Sequence, residues 1–365
     1  MHSPTTLRID GRAIVENTRR IAASTRAEVM AVVKADGFGH GRAALLALEA
    51  GATRLGVTSI EEALPLRWAG VEAPILSWLN PVDADIVSAL RHRIELAAPS
   101  LAHLARIASE ARRLGARASV HLHLDTGMSR DGAPASDWRT MCALAREYER
   151  EGTVRVVGIM SHLARADEPG HPLTVRQRLL TDAAARTARS RGLTPRFVHL
   201  AATAATLTDP STHFDLVRVG AGLYGIDPSR TTTLRGAMTL TTHVTTVREV
   251  RAGTPVGYGA GYLTREATRL ALVPLGYADG IPRALSPDAR VLVRGRRVPI
   301  AGAVSMDQLV LDVGGMPVQA GEEVTVFGPG DAGEPTLAEW AGWAGTIEHE
   351  LVTRVGPRVH VEAAA

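Results

Sequence analysis

Between Glu28 and Val219 the chain alternates short runs rich in β-branched residues with longer stretches of helical period, and no other feature restricts the fold as much. Short apolar runs read as strands buried on both faces, and a helix between successive runs reads as a parallel sheet of βα units. The runs fall near Val29 to Val33, Leu55 to Val57, Ile75 to Trp78, Ile94 to Ala97, Ala118 to Leu124, Val154 to Met160, Phe197 to His199 and Leu216 to Val219. Helices are expected over Arg42 to Glu49, Ile60 to Ala69, Leu101 to Leu114, Asp137 to Arg150 and Val175 to Arg191. Eight strands connected in this way predict a (β/α)8 barrel within residues 1–230. An open doubly wound sheet is the rival, but no G-x-G-x-x-G fingerprint follows the first strand.

After Pro228 the texture changes. Thr- and Val-rich runs such as Met238 to Val250, Arg269 to Val273, Arg290 to Pro299 and Glu323 to Phe327 are punctuated by glycine and proline, and long helical periods largely vanish. Residues 231–365 therefore read as a second, mostly β domain. Ahead of the barrel, Thr5 to Asp10 is strand-like, with Asp10 placed to cap a helix running to about Ala23. Whether that first strand pairs with the second domain is left open by the sequence.

Charge and cysteine usage exclude several classes. Lys+Arg 41 against Asp+Glu 38 gives only +3, with no basic run interleaved with aromatics, so nucleic acid is not an expected partner. No signal-like segment opens the chain, and nothing approaches the roughly 20 apolar residues of a membrane span, so a soluble, cytoplasmic protein is expected. Cys142 is the single cysteine, which rules out an intrachain disulfide; its MCALA setting suggests a packing role.

Lys34 is the only lysine. Arginine pairs with carboxylates and phosphates at least as well, so one retained ammonium has no electrostatic rationale. A Schiff base to a carbonyl, however, requires a primary amine that can lose its proton. Arginine-biased codon usage is the competing reading. Position favours the first, because Lys34 directly follows the first barrel strand in AVVKADGFGHG, and barrel active sites form at the C-terminal strand ends. Glycines at 37, 39 and 41 allow a tight turn beside a bound group, although a plain βα loop gives the same signal.

VKADGFGHG resembles the lysine motif of the alanine racemases, which hold pyridoxal 5′-phosphate (PLP). Further matches follow in order: DTGMSRDG at 125–132, GIMSHLARAD at 158–167, RVGAGLYG at 218–225, VGYGAGY at 256–262, PLGYADG at 274–280 and AGAVSMDQ at 301–308. The resemblance spans nearly the whole chain, and the family's PLP barrel followed by a β domain agrees with the architecture read above. It implies racemisation of an amino acid, L-alanine to D-alanine for peptidoglycan, with Lys34 and Tyr258 as the two bases on opposite faces of the cofactor. It further implies that Tyr258 comes from the partner subunit of a homodimer with shared sites. Tyrosine's usual pKa is too high for this work, and His162 and Arg218 are the family's candidates for lowering it. A histidine after a strand is otherwise more often structural.

Arg218 matches the arginine facing the pyridine nitrogen, where it would leave that nitrogen unprotonated; a phosphate or carboxylate partner is the other reading. Phosphate contacts are expected from Thr203, Gly220 and Ala221, after strands seven and eight. Arg130 resembles the arginine that binds the substrate carboxylate and the phenolic oxygen of PLP. Met306 and Asp307, with Tyr277, resemble the segment lining the substrate entrance, although Asp307 could cap a turn and Tyr277 could pack.

Several elements depart from the pattern. Phe38 stands where a tyrosine usually reaches the phosphate, and Ala202 with Thr203 where an Asn-Ser pair is common. His123 occupies the place of a lysine that is often carbamylated, so that it or an anion must support Arg130. Ser305 replaces a common cysteine, and RVGPRVHVE lacks the usual RVPR form. These changes leave open a racemase for another amino acid such as serine, or a non-catalytic PLP-binding paralogue. A decarboxylase of the related barrel is disfavoured by the Tyr258 motif and by the absence of a matching C-terminal cysteine segment.

Overall fold

A computed structural model describes residues 5–364. The alternating segment closes into a barrel of eight parallel strands: β2 (Glu28–Val32), β3 (Arg54–Val57), β4 (Ile75–Ser77), β5 (Ile94–Ala98), β6 (Ala118–His123), β7 (Val154–Met160), β8 (Phe197–His199) and β9 (Leu216–Val219). β2 pairs with β9, and the seam between β8 and β9 is joined by Asp215 N–H to the Val198 carbonyl at 3.1 Å and Arg218 N–H to the Ala201 carbonyl at 3.0 Å. Side chains alternate along each strand. Ile75, Leu96, Val120, Ile159 and Val198 pack toward the helices, whereas Met30, Leu76, Ala97, Met160, Phe197 and Leu216 form a separate cluster within the barrel.

The strand runs lie within a residue or two of the sequence reading, and Leu101–Leu114 is helical as expected. Arg42 to Glu49 is a correction: Gly41–Leu45 is 3-10 and only Leu46–Glu49 is α-helical, because the chain leaves the preceding glycine-rich turn too tightly wound to start a regular helix. A short helix at Ile86–Arg91, capped by Asp85, carried too few apolar positions to show a period. Cys142 is fully buried, and burial pushes its thiol up to about 12, in keeping with packing.

Before the barrel lies β1 (Thr6–Asp10), and the Asp10 carboxylate accepts from the N–H groups of Arg12 and Ala13 to cap the helix Gly11–Ala23. β1 belongs to the second domain's sheet. The strands after the barrel are β10 (Met238–His243), β11 (Thr246–Val250), β12 (Pro255–Val256), β13 (Tyr262–Leu263), β14 (Thr268–Val273), β15 (Arg290–Val293), β16 (Arg296–Pro299), β17 (Leu309–Gly314), β18 (Glu323–Phe327) and β19 (His360–Ala364). A six-stranded sheet runs β16-β15-β18-β10-β1-β19, with β1 antiparallel to β10 and parallel to β19. β11-β14-β17 form a second sheet, and β12-β13 a two-stranded ribbon.

Two short helices in the second domain went unread in the sequence. Leu337–Ala344 begins in a Thr336/Glu339 capping box and anchors Trp340, whose indole N–H donates to the Val326 carbonyl at 2.7 Å. Glu348–Arg354 packs against the segment that follows Lys34, so the second domain closes on the barrel mouth.

Candidate active site

Lys34 leaves the end of β2 half-buried and enters an unusual turn. Ala35, Asp36, Gly37 and Phe38 all have φ between 52° and 61° with ψ between 39° and 52°, one turn of left-handed helix. L-residues resist this conformation by roughly 1–2 kcal/mol each, so the surroundings must impose it. Glu62 accepts from Ala35 N–H at 2.7 Å, Gly37 N–H donates to the Val33 carbonyl at 2.9 Å, and Phe38 is buried against Tyr224 with ring centroids 5.1 Å apart. At Gly39, φ is +76° and a Cβ would stand 2.4 Å from the Val352 carbonyl oxygen, so only glycine passes beneath the second domain there. The turn holds the lysine at the interface of the two domains. Burial and the charge of Arg130 lower the Lys34 pKa, opposed by the Glu62 carboxylate.

Arg218, at the end of β9, is almost wholly buried. NH1 donates to the His199 carbonyl and to His199 Nδ1, both at 3.0 Å. NH2 donates to the carbonyls of Ser161 at 2.7 Å and Leu200 at 2.9 Å and to His162 Nδ1 at 3.0 Å. Among the described residues Nε–H is the donor of this guanidinium without a protein partner. Because a guanidinium only donates, His162 accepts at Nδ1 and, when neutral, carries its proton on Nε2. Burial, then Arg218, Arg130 and Lys34, pushes its pKa down to about 3, so it is neutral at working pH.

The loop Asp125 to Gly132 presents Arg130 at the mouth, exposed. Asp125 shapes it by accepting from the N–H groups of Gly127, Met128 and Ser129 at 2.8, 3.0 and 3.2 Å. His123 is buried with Nδ1 3.4 Å from the Asp131 carboxylate, an ion-pair separation whose alignment falls short of a hydrogen bond. Among the described residues, no hydrogen bond or ion pair joins His123 to Arg130; its observed partner is Asp131, which leaves an anion as the other support for Arg130 that the sequence offered.

On the other side of the mouth, Thr203 Oγ1 accepts from Gly222 N–H at 3.2 Å, keeping its own hydroxyl proton available. No backbone acceptor among the described residues meets the N–H groups of Gly220 and Ala221. Phe38 packs directly on Gly220, whose Cβ would stand 2.8 Å from the ring. Lys34, His162 and Arg218 are electrostatically coupled to one another or to Arg130, so the barrel residues named from the sequence do converge.

Among the described residues, no hydrogen bond, ion pair or ring contact joins the second-domain residues to them. Tyr258, in the loop joining β12 and β13, is 73% exposed; Met306 is 54% and Tyr277 37% exposed. The last two share a ridge, since Tyr277 N–H and Ala278 N–H donate to the carbonyls of Ser305 at 3.1 Å and Met306 at 2.9 Å. Asp307 pairs with Arg358, which also reaches Asp279 at 3.1 Å, so RVGPR ties the ridge down in place of a turn cap at Asp307.

Residues 9–228 match the family model of the alanine racemase N-terminal domain, and residues 237–363 that of its C-terminal domain. The chain belongs to the alanine racemase family. An alanine racemase of Frankia casuarinae is 49% identical over 350 residues, covering 94% of this chain and 91% of that protein. The crystal structure of alanine racemase from D-cycloserine-producing Streptomyces lavendulae superposes with a TM-score of 0.97 at 40% identity, covering 100% of this chain and 98% of that one. The alanine racemase of Bartonella henselae, with covalently bound pyridoxal phosphate, matches with a TM-score of 0.88 at 29% identity over 99% of each chain.

One residue at this mouth escaped the sequence reading. His349, from the helix Glu348–Arg354, lies with its ring 6.0 Å from Phe38, and its pKa is lowered by burial, opposed by Glu348 and reinforced by Lys34. Its Nδ1 is buried and has no hydrogen-bond partner among the described residues. Nothing in TIEHELV marks that histidine, because its neighbours come from residues some three hundred positions away.

Proposed function

We propose that this protein interconverts L- and D-alanine with pyridoxal 5′-phosphate as cofactor, supplying D-alanine for peptidoglycan in the cytoplasm. The observation that carries the reading is the convergence at one barrel mouth of a single amine with a lowered pKa and an arginine whose NH groups are consumed by protein acceptors while Nε–H is left over. The donor set suits PLP. Lys34 offers the amine for its aldehyde, Arg218 Nε–H a donor for its ring nitrogen, and the N–H groups of Gly220 and Ala221 with the Thr203 hydroxyl serve its phosphate. Phe38 cannot serve the phosphate, but the unpartnered His349 Nδ1 beside it offers a polar atom from the second domain. When bound, PLP withdraws electrons and acidifies the α-hydrogen of an attached amino acid.

The chain's own groups then have separate tasks. Lys34 Nζ gives and takes a proton on one face of the α-carbon, and its lowered pKa raises the fraction able to accept one near neutrality. Arg218 remains a donor, which leaves the ring nitrogen unprotonated and tempers the electron sink. His162, neutral, holds the NH2 group of Arg218 and keeps that guanidinium oriented. Arg130 orients the substrate carboxylate and, by its charge, lowers the Lys34 pKa. On the opposite face the phenolic oxygen of Tyr258 carries the second proton, delivered from the second subunit of a homodimer. The high exposure of Tyr258 supports that assignment, as does that of Met306 and Tyr277, which line the entrance together with Asp307.

The test is to incubate the purified protein and PLP with L-alanine in heavy water, following optical rotation and α-deuterium together. Racemisation with label uptake is the expected result. Release of carbon dioxide, or no change, overturns the reading.

A further inference from the structure

Polar side chains inside the barrel, below the mouth, are left unused by the reading above. They form a continuous line. Arg218 NH1 meets His199 Nδ1 at 3.0 Å, His199 Nε2 meets His121 Nδ1 at 2.9 Å, and His121 Nε2 meets Glu95 Oε2 at 3.0 Å. Arg54 NH1 reaches the same carboxylate oxygen at 2.8 Å, its guanidinium lying 4.2 Å over the Phe197 ring. Both imidazoles are fully buried. Space for them is built into the backbone: Gly158 pairs with His121 across β6 and β7 at a register shift, and a Cβ on it would stand 2.1 Å from His121 Nδ1.

The two ends of the line dictate its protons. A guanidinium can only donate and an ionised carboxylate can only accept. His199 Nδ1 must therefore be bare, and neutral His199 carries its proton on Nε2, directed at His121. His121 Nδ1 must in turn be bare, with its proton on Nε2 directed at Glu95. A second proton on His199 would set N–H against N–H at Arg218. A second proton on His121 would force His199 into its other tautomer and create the same clash. Only one arrangement satisfies every contact: two neutral imidazoles polarised in one direction between Arg218 and Glu95. The electrostatics agree. Burial alone would raise the Glu95 pKa, but the hydrogen bond from His121 and the charge and hydrogen bond of Arg54 lower it, while burial and Arg218 hold His199 well below the ordinary range.

We propose that Glu95, His121 and His199 are positioning residues that act through this one-way relay, giving the Arg218 guanidinium a distant counter-charge and fixing how strongly its remaining donor is presented at the mouth. This rests on the reading above in taking Arg218 as the group that meets the cofactor ring.

The direct measurement is nitrogen NMR of the holoprotein carrying 15N-histidine, with signals assigned by single-histidine variants. Bare Nδ1 and protonated Nε2 on both His121 and His199 at neutral pH are expected; a proton on Nδ1 of either overturns the relay. Glu95→Gln keeps the acceptor and the volume while removing the charge. It is expected to shift the absorption band of bound PLP and to lower kcat about tenfold with a smaller change in KM. A lowered Tm with kcat and absorption unchanged would mean that Glu95 is merely structural and sink the proposal. A wild-type protein that fails to racemise alanine removes the functional reading instead, and the tautomer measurement still stands.

Discussion

Lys34, His162 and Arg218 stand at strand ends inside a hydrogen-bonded mouth, whereas Tyr258 and Met306 stand on second-domain loops more than half exposed, with Tyr277 partly exposed beside Met306. The first group is held by bonds within the chain: Arg218 alone meets three carbonyls and two imidazoles, and the turn after Lys34 is forced left-handed by its neighbours. The second group has a braced base, and among the described residues its tips make no hydrogen bond. The Tyr277 and Met306 segments brace each other through backbone bonds and Asp307 is tied to Arg358, yet the phenol and thioether face outward. Rigid loops offering exposed aromatic and apolar side chains are the anatomy of a surface awaiting another surface. The difference teaches that the barrel half of the proposed site is preorganised within one chain, whereas the second-domain half, on the reading proposed above, requires a second subunit.

That contrast is open to attack from either side. The largest effect is expected at Lys34: Lys34→Ala should abolish the yellow covalent PLP adduct and cut racemisation by at least about 10⁴-fold, with Tm nearly unchanged. Retained activity and colour would overturn the assignment. Tyr258→Phe should lower kcat by roughly 10²–10⁴-fold while leaving the absorption of bound PLP and the Tm in place, because the hydroxyl is exposed in the free subunit. Arg218→Lys acts on the preorganised half, where one ammonium cannot satisfy so many buried acceptors. Thermal unfolding should show a loss of roughly 2–4 kcal/mol, in contrast to the stability-neutral change at Tyr258.

Smaller effects probe the electrostatics. Capture of PLP by the apoprotein needs unprotonated Lys34, so its rate should rise with pH with a midpoint below the ordinary lysine value of about 10.4. Since the Arg130 charge contributes to that lowering after burial, Arg130→Ala should move the midpoint upward, and an unmoved or lowered midpoint would show that Arg130 does not act on the amine. The smallest change is Ala35→Gly, at φ +52°, which relieves left-handed strain and should raise stability by about 1 kcal/mol.

The barrel was legible because its strands are short β-branched runs and its helices are amphipathic, both signals carried by neighbours in sequence. The Asp10 cap was legible for the same reason. Tertiary packing decided the rest. The left-handed turn cannot be read from KADGFG, since Ala35, Asp36 and Phe38 adopt it only under constraint from Glu62, Tyr224 and the second domain. The pairing of β1 with β10 and β19 joins segments more than two hundred residues apart, so no local pattern announced it. Site residues came into view through their motifs. His349 and the line from His199 to Glu95 did not, because both depend on contacts made across the fold.

The claim that the site is divided between two subunits is tested most directly by mixing two inactive proteins. Lys34→Ala and Tyr258→Ala homodimers, dissociated and reassociated together with PLP, would form hybrids in which one site carries both lesions and the other carries none. Random reassociation predicts recovery of about a quarter of wild-type activity, while either protein alone stays inactive. A mixture that remains inactive, with hybrid formation verified by mass, would contradict the account and place both residues in the site of a single chain.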